Sequence, residues 1–153
     1  MALFQAFNIA ATGMTAQRFR MDVIAENIAN VNTTHGEDGA GPYRRKIVTF
    51  QEKQLNPVTF SQALDQVDRY KSAYKGNGVR VLRVDEDEET DFIMDYDPSH
   101  PDADENGYVS YPNVNTVTEM TNLIDATRSY QANVTAFGSL KAMTQSAISI
   151  SGS

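Results

Sequence analysis

The stretch FNIAATGMTAQRFRMDVIAENIANVNT, residues 7–33, decides how this chain of 153 residues folds. A seam with alternating steps of four and three residues runs through it, and Gln17 is the seam's single polar member. The seam consists of Leu3, Phe7, Ala10, Met14, Gln17, Met21, Ile24, Ile28 and Val31. This spacing predicts a long helix with the a and d pattern of a coiled coil. Because the charged flanks of a two-stranded coil are missing, an ordinary core helix also fits the pattern.

A second face of this helix is apolar as well. Its members lie off the seam and are Phe4, Ile9, Ala11, Phe19 and Val23. A helix that is apolar on two faces needs cover on both, and one partner helix covers only one. The sequence therefore predicts that neighbouring subunits cover the other face.

The end of the helix is unusually rich in asparagine. Asn27, Asn30, Asn32 and Thr33 occupy its last turns, although asparagine is a poor interior helix residue. Uncharged amides can satisfy the last helix carbonyls and fix register without the cost of burying an ion. Our hypothesis is that these side chains bond to helices of neighbouring subunits, and the alternative is a C-cap that frays into a loop.

The last forty residues predict a second long helix. Its seam is read as Met120, Leu123, Thr127, Tyr130, Val134 and Phe137, and then shifts by one position to Leu140, Met143, Ala147 and Ile150. Such a shift retunes supercoiling locally. Thr116 and Glu119 have the spacing of a capping box at the start of this helix.

The middle of the chain has strand and turn patterns. Strands are predicted at 43–50, 79–84, 91–97 and 107–111, whereas 51–75 fits either a helix or a mobile loop. We therefore predict a mainly α fold with a small β-rich insertion. Residues 1–33 and 114–153 form the two terminal helices, and residues 34–113 form the insertion.

Composition narrows the possible functions. The net charge is −7, but the eleven acidic residues between Asp85 and Glu105 carry −11, so the rest of the chain carries +4. An acidic middle argues against nucleic acid, whose binding depends on neutralising phosphates. There is no cysteine, no apolar run that could span a bilayer, and no basic segment ahead of the apolar N-terminus. We expect a cytoplasmic protein, or one exported without a cleaved signal peptide.

Three motifs contain residue types that can bind a ligand or a metal. Asp102 to Asn113 has calcium-loop spacing at its first positions, but Asn113 stands where a glutamate belongs, so an Asn-Gly turn is the other interpretation. His35 and His100 lie in separate loops and are interpreted as surface residues. The glycines of 36–41 follow no strand and open no helix, which argues against a phosphate site. We expect no enzyme activity, no cofactor, no metal and no small-molecule substrate.

Several motifs resemble one family. ATGM at 11–14 and ENIANVNTT at 26–34 are similar to the opening of bacterial flagellar rod and hook proteins. The motifs GPYRRK at 41–46, YDPSHPDADENGYVSYPNVN at 96–115 and EMTNLIDATRSYQANVTAF at 119–137 narrow the resemblance to the rod protein C family of proximal rod subunits. The resemblance is weakest across 51–75 and 85–89.

The resemblance implies a structural subunit that self-assembles with other rod proteins into a helical tube. That tube transmits torque from motor to hook and lines the export channel. The implied partners are other rod subunits, the MS ring of the basal body, the hook-basal-body adaptor protein and the flagellar type III export apparatus, and the implied location is the periplasmic rod. If the terminal helices pair, Met21, Ile24 and Ile28 face Leu123, Tyr130 and Phe137.

The expected assembly interface combines both helices. It comprises Phe7, Met14, Met21, Ile24, Asn27, Ile28, Asn30, Val31, Asn32, Thr33, Leu123, Tyr130, Val134 and Phe137. Two alternatives of other classes remain at this point. One is a calcium-binding module, and the other is a small helical scaffold or chaperone.

Overall fold

Two long helices come before and after two small antiparallel sheets along the chain. The computed structural model describes residues 2–36, 41–53 and 76–151. Helix α1 spans Ala2–Ala29 and helix α2 spans Thr116–Ser151. Between them lie strands β1 (Lys46–Glu52), β2 (Val79–Glu86), β3 (Ile93–Tyr96) and β4 (Tyr108–Tyr111). The mainly α fold with a β-rich middle is therefore confirmed. Most of the ambiguous segment 51–75 lies outside the described residues.

The two helices pack against each other in opposite directions. The rings of Phe7 and Phe137 meet edge to face at 4.9 Å between centroids, and the Thr127 hydroxyl lies 3.4 Å from the Met21 sulfur. Phe137 therefore lies opposite Phe7, outside the segment from Met21 to Ile28 that was predicted to face Leu123, Tyr130 and Phe137 together. Because the helices are antiparallel and Phe7 lies level with Phe137, Ala2 lies level with Ala142. The nine residues after Ala142, up to Ser151, therefore extend about 13 Å beyond the described end of α1.

The seam of α2 agrees with the predicted one only in part: Leu123, Tyr130, Phe137 and Leu140 are shared, and Thr127 also contacts Met21. The side chains that turn towards α1 keep steps of four and three without any shift, and they are Glu119, Leu123, Ala126, Tyr130, Asn133, Phe137, Leu140 and Thr144. The predicted members Met120, Val134 and Met143 are exposed. The prediction was wrong there because it selected apolar residues, whereas the seam uses a small, a charged and an amide side chain.

A glycine explains why an amide fits in this seam. A Cβ added to Gly13 would lie 2.6 Å from Oδ1 of Asn133, whose Nδ2 donates to the Ser129 carbonyl at 2.8 Å. The missing side chain of Gly13 thus lets α2 approach α1 closely. This close approach gives the ATGM motif a physical role.

The β1–β2 hairpin covers part of the second face of α1. The two strands pair antiparallel with a bulge between Thr49 and Phe50, and both contact α1. Gly78 begins the return strand with φ of 88°, and its neighbour Val79 donates its N–H to Thr12 on α1 at 3.2 Å. Phe4, Ile9 and Phe19 of the same face remain exposed, so cover by neighbouring subunits stays a prediction for them. Among the described elements, α2 packs against α1 alone.

The start of α2 is capped by a residue other than the predicted one. Asn115 accepts the N–H of Thr118 at 3.0 Å, so Asn115 is the N-cap and Thr116 is already helical. The predicted capping box was wrong, because the Glu119 side chain turns into the protein interior instead of back towards Thr116.

Candidate assembly interface

A buried polar cluster joins the end of α1 to the start of α2 and to β1. We call Asn27, Tyr43, Arg45, Asp87, Asn113 and Glu119 the junction cluster. Its members come from both helices, from the segment entering β1 and from the residues after β2 and β4, so it joins parts of the chain that are far apart in sequence.

Asn27 makes every hydrogen bond of which its side chain is capable. Its Oδ1 accepts from the Lys46 N–H at 2.9 Å and from the Tyr43 hydroxyl at 2.8 Å. Its Nδ2 donates to the Lys46 carbonyl at 2.9 Å and to Glu119 at 3.2 Å. With only 1% of its surface exposed, Asn27 has no polar atom left for a neighbouring subunit. The hypothesis of an inter-subunit bond is wrong for this residue.

Arg45 is the charged centre of the cluster. Its Nε and Nη2 donate to one oxygen of Glu119 at 2.9 and 2.8 Å, and its Nη1 lies 3.4 Å from Asp87. Its backbone N–H donates to Asn113, whose amide in turn donates to the carbonyls of Asp87 and Thr90. Glu119 is 1% exposed, so this charge is compensated within the subunit.

The cluster shifts the titration of its members. Burial alone would lower the pKa of Arg45, but the hydrogen bond and charge of Glu119, followed by those of Asp87, raise it above its ordinary value. Burial would raise the pKa of Asp87, yet hydrogen bonds from Thr90, Arg45 and Glu89 hold it below the ordinary carboxyl value. Burial, followed by the charge of Glu26, raises the pKa of Tyr43. All three therefore stay in their usual protonation states at neutral pH, as a structural cluster requires.

The other residues at the end of α1 cap the helix. The Asn30 amide donates to the Glu26 carbonyl at 2.9 Å, and its oxygen accepts from the Thr33 hydroxyl at 3.1 Å. The C-cap alternative therefore describes Asn30 and Thr33 well, without its fraying. Asn32 is exposed, and Val31 is half-buried beside the cavity under β3.

Most of the expected interface residues lie between α1 and α2. Ile24 is buried there, whereas Asn32 and Val134 are exposed. The half-buried group consists of Phe7, Met14, Met21, Ile28, Val31, Leu123, Tyr130 and Phe137. The seam thus identified contacts within the subunit better than it identified the free surface.

The free apolar surface lies on the outer side of α2. We call the exposed residues Val117, Met120, Ile124, Val134 and Met143 the α2 stripe. Of these, only Val134 was among the predicted interface residues. The other four could have been identified as apolar residues of α2 that lie outside the seam, once the seam that contacts α1 is known.

The loop with calcium-like spacing is a turn. Asp104 accepts the N–H groups of Asn106 and Tyr108 at 2.9 Å each, and the pKa of Asp104 is lowered, chiefly by the bond from Tyr108. Asp102 accepts the Thr34 hydroxyl at 2.7 Å. Within the described ranges, no group of three acidic, histidine or cysteine side chains is arranged to hold a metal ion. The calcium-module alternative is not supported.

The two histidines lie closer together than expected. His35 and His100 flank Asp102, with Nδ1 atoms 3.5 and 3.8 Å from its carboxylate. Nδ1 of His100 also accepts the Asp102 N–H at 3.1 Å. The loop after α1 is therefore tied to the loop between β3 and β4.

As for membrane crossing, neither described helix has the combined length and hydropathy that a bilayer span needs.

Comparison with known proteins places both ends of the chain in one class. Residues 7–36 match the family described as "Flagella basal body rod protein", and residues 105–150 match "Flagellar basal body rod FlgEFG protein C-terminal". The matched regions contain much of α1, most of α2 and the residues Asn27 and Glu119 that join the helices. Both ends of the chain are thus those of a flagellar rod protein.

Relatives that cover nearly the whole chain define the family. The chain is 44% identical to flagellar basal-body rod protein FlgC of Bacillus subtilis, over 98% of this chain and 99% of the relative. It is 44% identical to that of Borreliella burgdorferi, over 98% of each chain, and 41% identical to that of Escherichia coli O6:H1, over 94% and 93%. The chain belongs to the family of flagellar basal-body rod protein FlgC, and it is a structural rod subunit of the flagellar basal body. Neither the helical-scaffold nor the chaperone alternative is supported.

Proposed function

We propose that this chain is a subunit of the proximal rod and that it assembles with copies of itself and with other rod proteins into a helical tube. In that tube the paired terminal helices, 1–33 and 114–153, form a coiled-coil core, and residues 34–113 form the outer part. The tube transmits torque from motor to hook and lines the export channel. The observation that carries this proposal is the α2 stripe.

Within residues 2–36, 41–53 and 76–151, no element covers the α2 stripe. α2 contacts α1 alone among the described elements, so large apolar side chains along its outer side face solvent in the single chain. An exposed apolar surface of this extent marks a site of association. Contacts between unlike surfaces of identical subunits produce open helical assemblies, which is the form that a rod requires.

The proposed partners follow from the family and from the position of a rod. They are other rod subunits, the MS ring, the hook-basal-body adaptor protein and the flagellar type III export apparatus. We further propose a periplasmic rod that is reached through that apparatus without a cleaved signal peptide.

Two isoleucines provide a matched test of the assembly surface. Ile124 on the α2 stripe is 53% exposed, whereas Ile24 on the seam is 5% exposed. Ile124→Asp should change the free energy of unfolding by no more than about 0.5 kcal/mol but abolish swimming, because the charge would be buried between subunits. Ile24→Asp should abolish swimming through loss of the folded subunit. Glu88→Lys, in the exposed acidic run, is the control that should swim.

The measurements are soft-agar swimming in a strain that lacks its own subunit, electron microscopy of isolated basal bodies, and urea unfolding of each purified variant. An Ile124→Asp strain that swims normally and builds complete rods would contradict the proposed role of the stripe. An Ile24→Asp strain that does so would contradict the paired helices.

A further inference from the structure

The β3–β4 hairpin presents an apolar surface that the described part of the subunit leaves open. Its register places Met94 opposite Ser110 and Tyr96 opposite Tyr108, so that these side chains share one face. We call Met94, Tyr96 and Tyr108 the hairpin patch. All three are exposed, Tyr96 to 63%, and the two tyrosine rings meet at 5.2 Å. Tyrosine and methionine are enriched in protein interfaces.

The border of the hairpin patch is acidic. The exposed acidic residues around it are Asp91, Asp104 and Glu105. No lysine or arginine occurs between Asp85 and Asp125 to balance them. A complementary partner therefore needs an apolar centre with a basic border.

A groove on the same chain has this complementary character. It lies between α1 and β2, and its volume is about 500 Å³. Its apolar lining comes from Ala11, Ala16, Phe19, Val79 and Val81. Its charged lining residues, Lys53 and Arg80, are both basic, and none of the lining residues is acidic. We call this feature the α1–β2 groove.

The two surfaces lie at different places along the subunit. The groove is lined by α1 residues centred near Thr15, whereas Ile93 at the start of the hairpin shares a cavity with Val31, beyond the end of α1. The sixteen residues between Thr15 and Val31 correspond to roughly 24 Å along a helix axis. A contact that joins such unlike surfaces can repeat from copy to copy, and it gives a ring or an open helix according to the rotation between the copies.

We propose that the hairpin patch of one copy of this chain docks into the α1–β2 groove of a second copy. This inference rests on the proposed function, because it names a contact through which copies of this chain meet in the rod. It adds a lateral contact made by the β-rich part of the subunit to the contacts made by the α2 stripe.

Cross-linking tests this contact directly, because the chain contains no cysteine. One full-length variant carries Thr15→Cys in the groove and another carries Met94→Cys in the hairpin patch, each with its own affinity tag. After treatment with a short bis-maleimide, the product that carries both tags should exceed, by about fivefold, the product obtained with Glu88→Cys in place of Met94→Cys. The yield should fall as the salt concentration rises.

Charge reversal then tests complementarity. Lys53→Glu together with Arg80→Glu in the groove chain should lower the yield about fivefold. Glu105→Lys in the hairpin chain should restore part of it. Circular dichroism checks that each variant remains folded.

Several outcomes would overturn the proposal. These are a two-tag yield no higher than with Glu88→Cys, a yield that ignores both reversals, or a product that forms only when another rod protein is added. A groove occupied by residues 54–75 of the same chain would also give no two-tag product. If cross-linking fails while Ile124→Asp abolishes swimming, the docking contact is refuted and the proposed function stands. If cross-linking succeeds while Ile124→Asp swims normally, the docking contact stands and the proposed role of the α2 stripe is refuted.

Discussion

Glu119 is the residue at which the stability of the junction cluster can best be measured. Its carboxylate is 1% exposed, and it accepts two hydrogen bonds from Arg45 and one from Asn27. Glu119→Ala removes these acceptors and leaves the guanidinium without its nearest partner. The new residue is itself a strong helix former, so helix propensity does not contribute to the loss.

The magnitude follows from the burial of the two partners. Removing one partner of a fully buried ion pair costs about 3–5 kcal/mol. The Arg45 side chain keeps 24% of its exposure and retains Asp87 at 3.4 Å, so we expect a smaller loss of about 2–3 kcal/mol, derived from the same range. That loss is a large fraction of the stability of an ordinary domain. It should lower the melting temperature by about 5–10 °C.

The assay is urea unfolding of the purified chain, monitored by circular dichroism. Glu26→Ala is the matched control, because Glu26 pairs with Lys46 at an exposed position and its loss should cost at most about 1 kcal/mol. Arg45→Ala and the double variant with Glu119→Ala complete a cycle, which should give a coupling energy above about 1 kcal/mol. If Glu119→Ala costs no more than Glu26→Ala, our account of the cluster is refuted.

Two other features give direct predictions. Gly138→Ala, at an open helix position, should raise the free energy of unfolding by about 0.5–1 kcal/mol, whereas Gly13→Ala should lower it by about 1 kcal/mol because the new Cβ meets Asn133. Urea unfolding measures both changes, and a gain in stability at both sites would contradict the close approach of the helices at Gly13. Since the folded-state pKa of Asp87 is lowered, its contribution to stability is complete above its unfolded pKa of about 3.9 and is lost as the pH falls through the folded value. Denaturation midpoints measured from pH 6 to pH 2 should therefore fall less steeply for Asp87→Asn, and parallel curves would count against this assignment.

The parts of the fold that follow from local periodicity were predictable. Both helices and the four strand regions were predicted from spacing and turn residues, because those signals lie within a few neighbouring positions. The family was also recognisable, since its motifs lie at both ends of the chain. The same reasoning selected Val134 for the seam although Asn133 occupies it, because a search for apolar residues passes over an amide that fits against a glycine.

The junction cluster could not be predicted in the same way. Arg45 and Glu119 are 74 positions apart, and nothing in the neighbourhood of either residue indicates the other. Glu119 was interpreted as a capping residue because three-residue spacing to a threonine is a common local signal. Asn27 was assigned to neighbouring subunits because the sequence does not show that Lys46 lies beside it. These contacts depend on the chain's path between β1 and α2, which only the folded structure supplies.

The polar character of the junction has a consequence for assembly. Buried ion pairs contribute little net stability compared with apolar packing, so stability alone does not account for Arg45 and Glu119. Asn27, however, bonds to both the N–H and the carbonyl of Lys46, and a shift of β1 by one residue would reverse which side chains face α1. We infer that the cluster fixes the register of the β-rich part against the helix pair. In the proposed rod, copies of the chain must present identical surfaces, and a single register at Lys46 would keep β1 and β2, and with them the α1–β2 groove, at one position on α1.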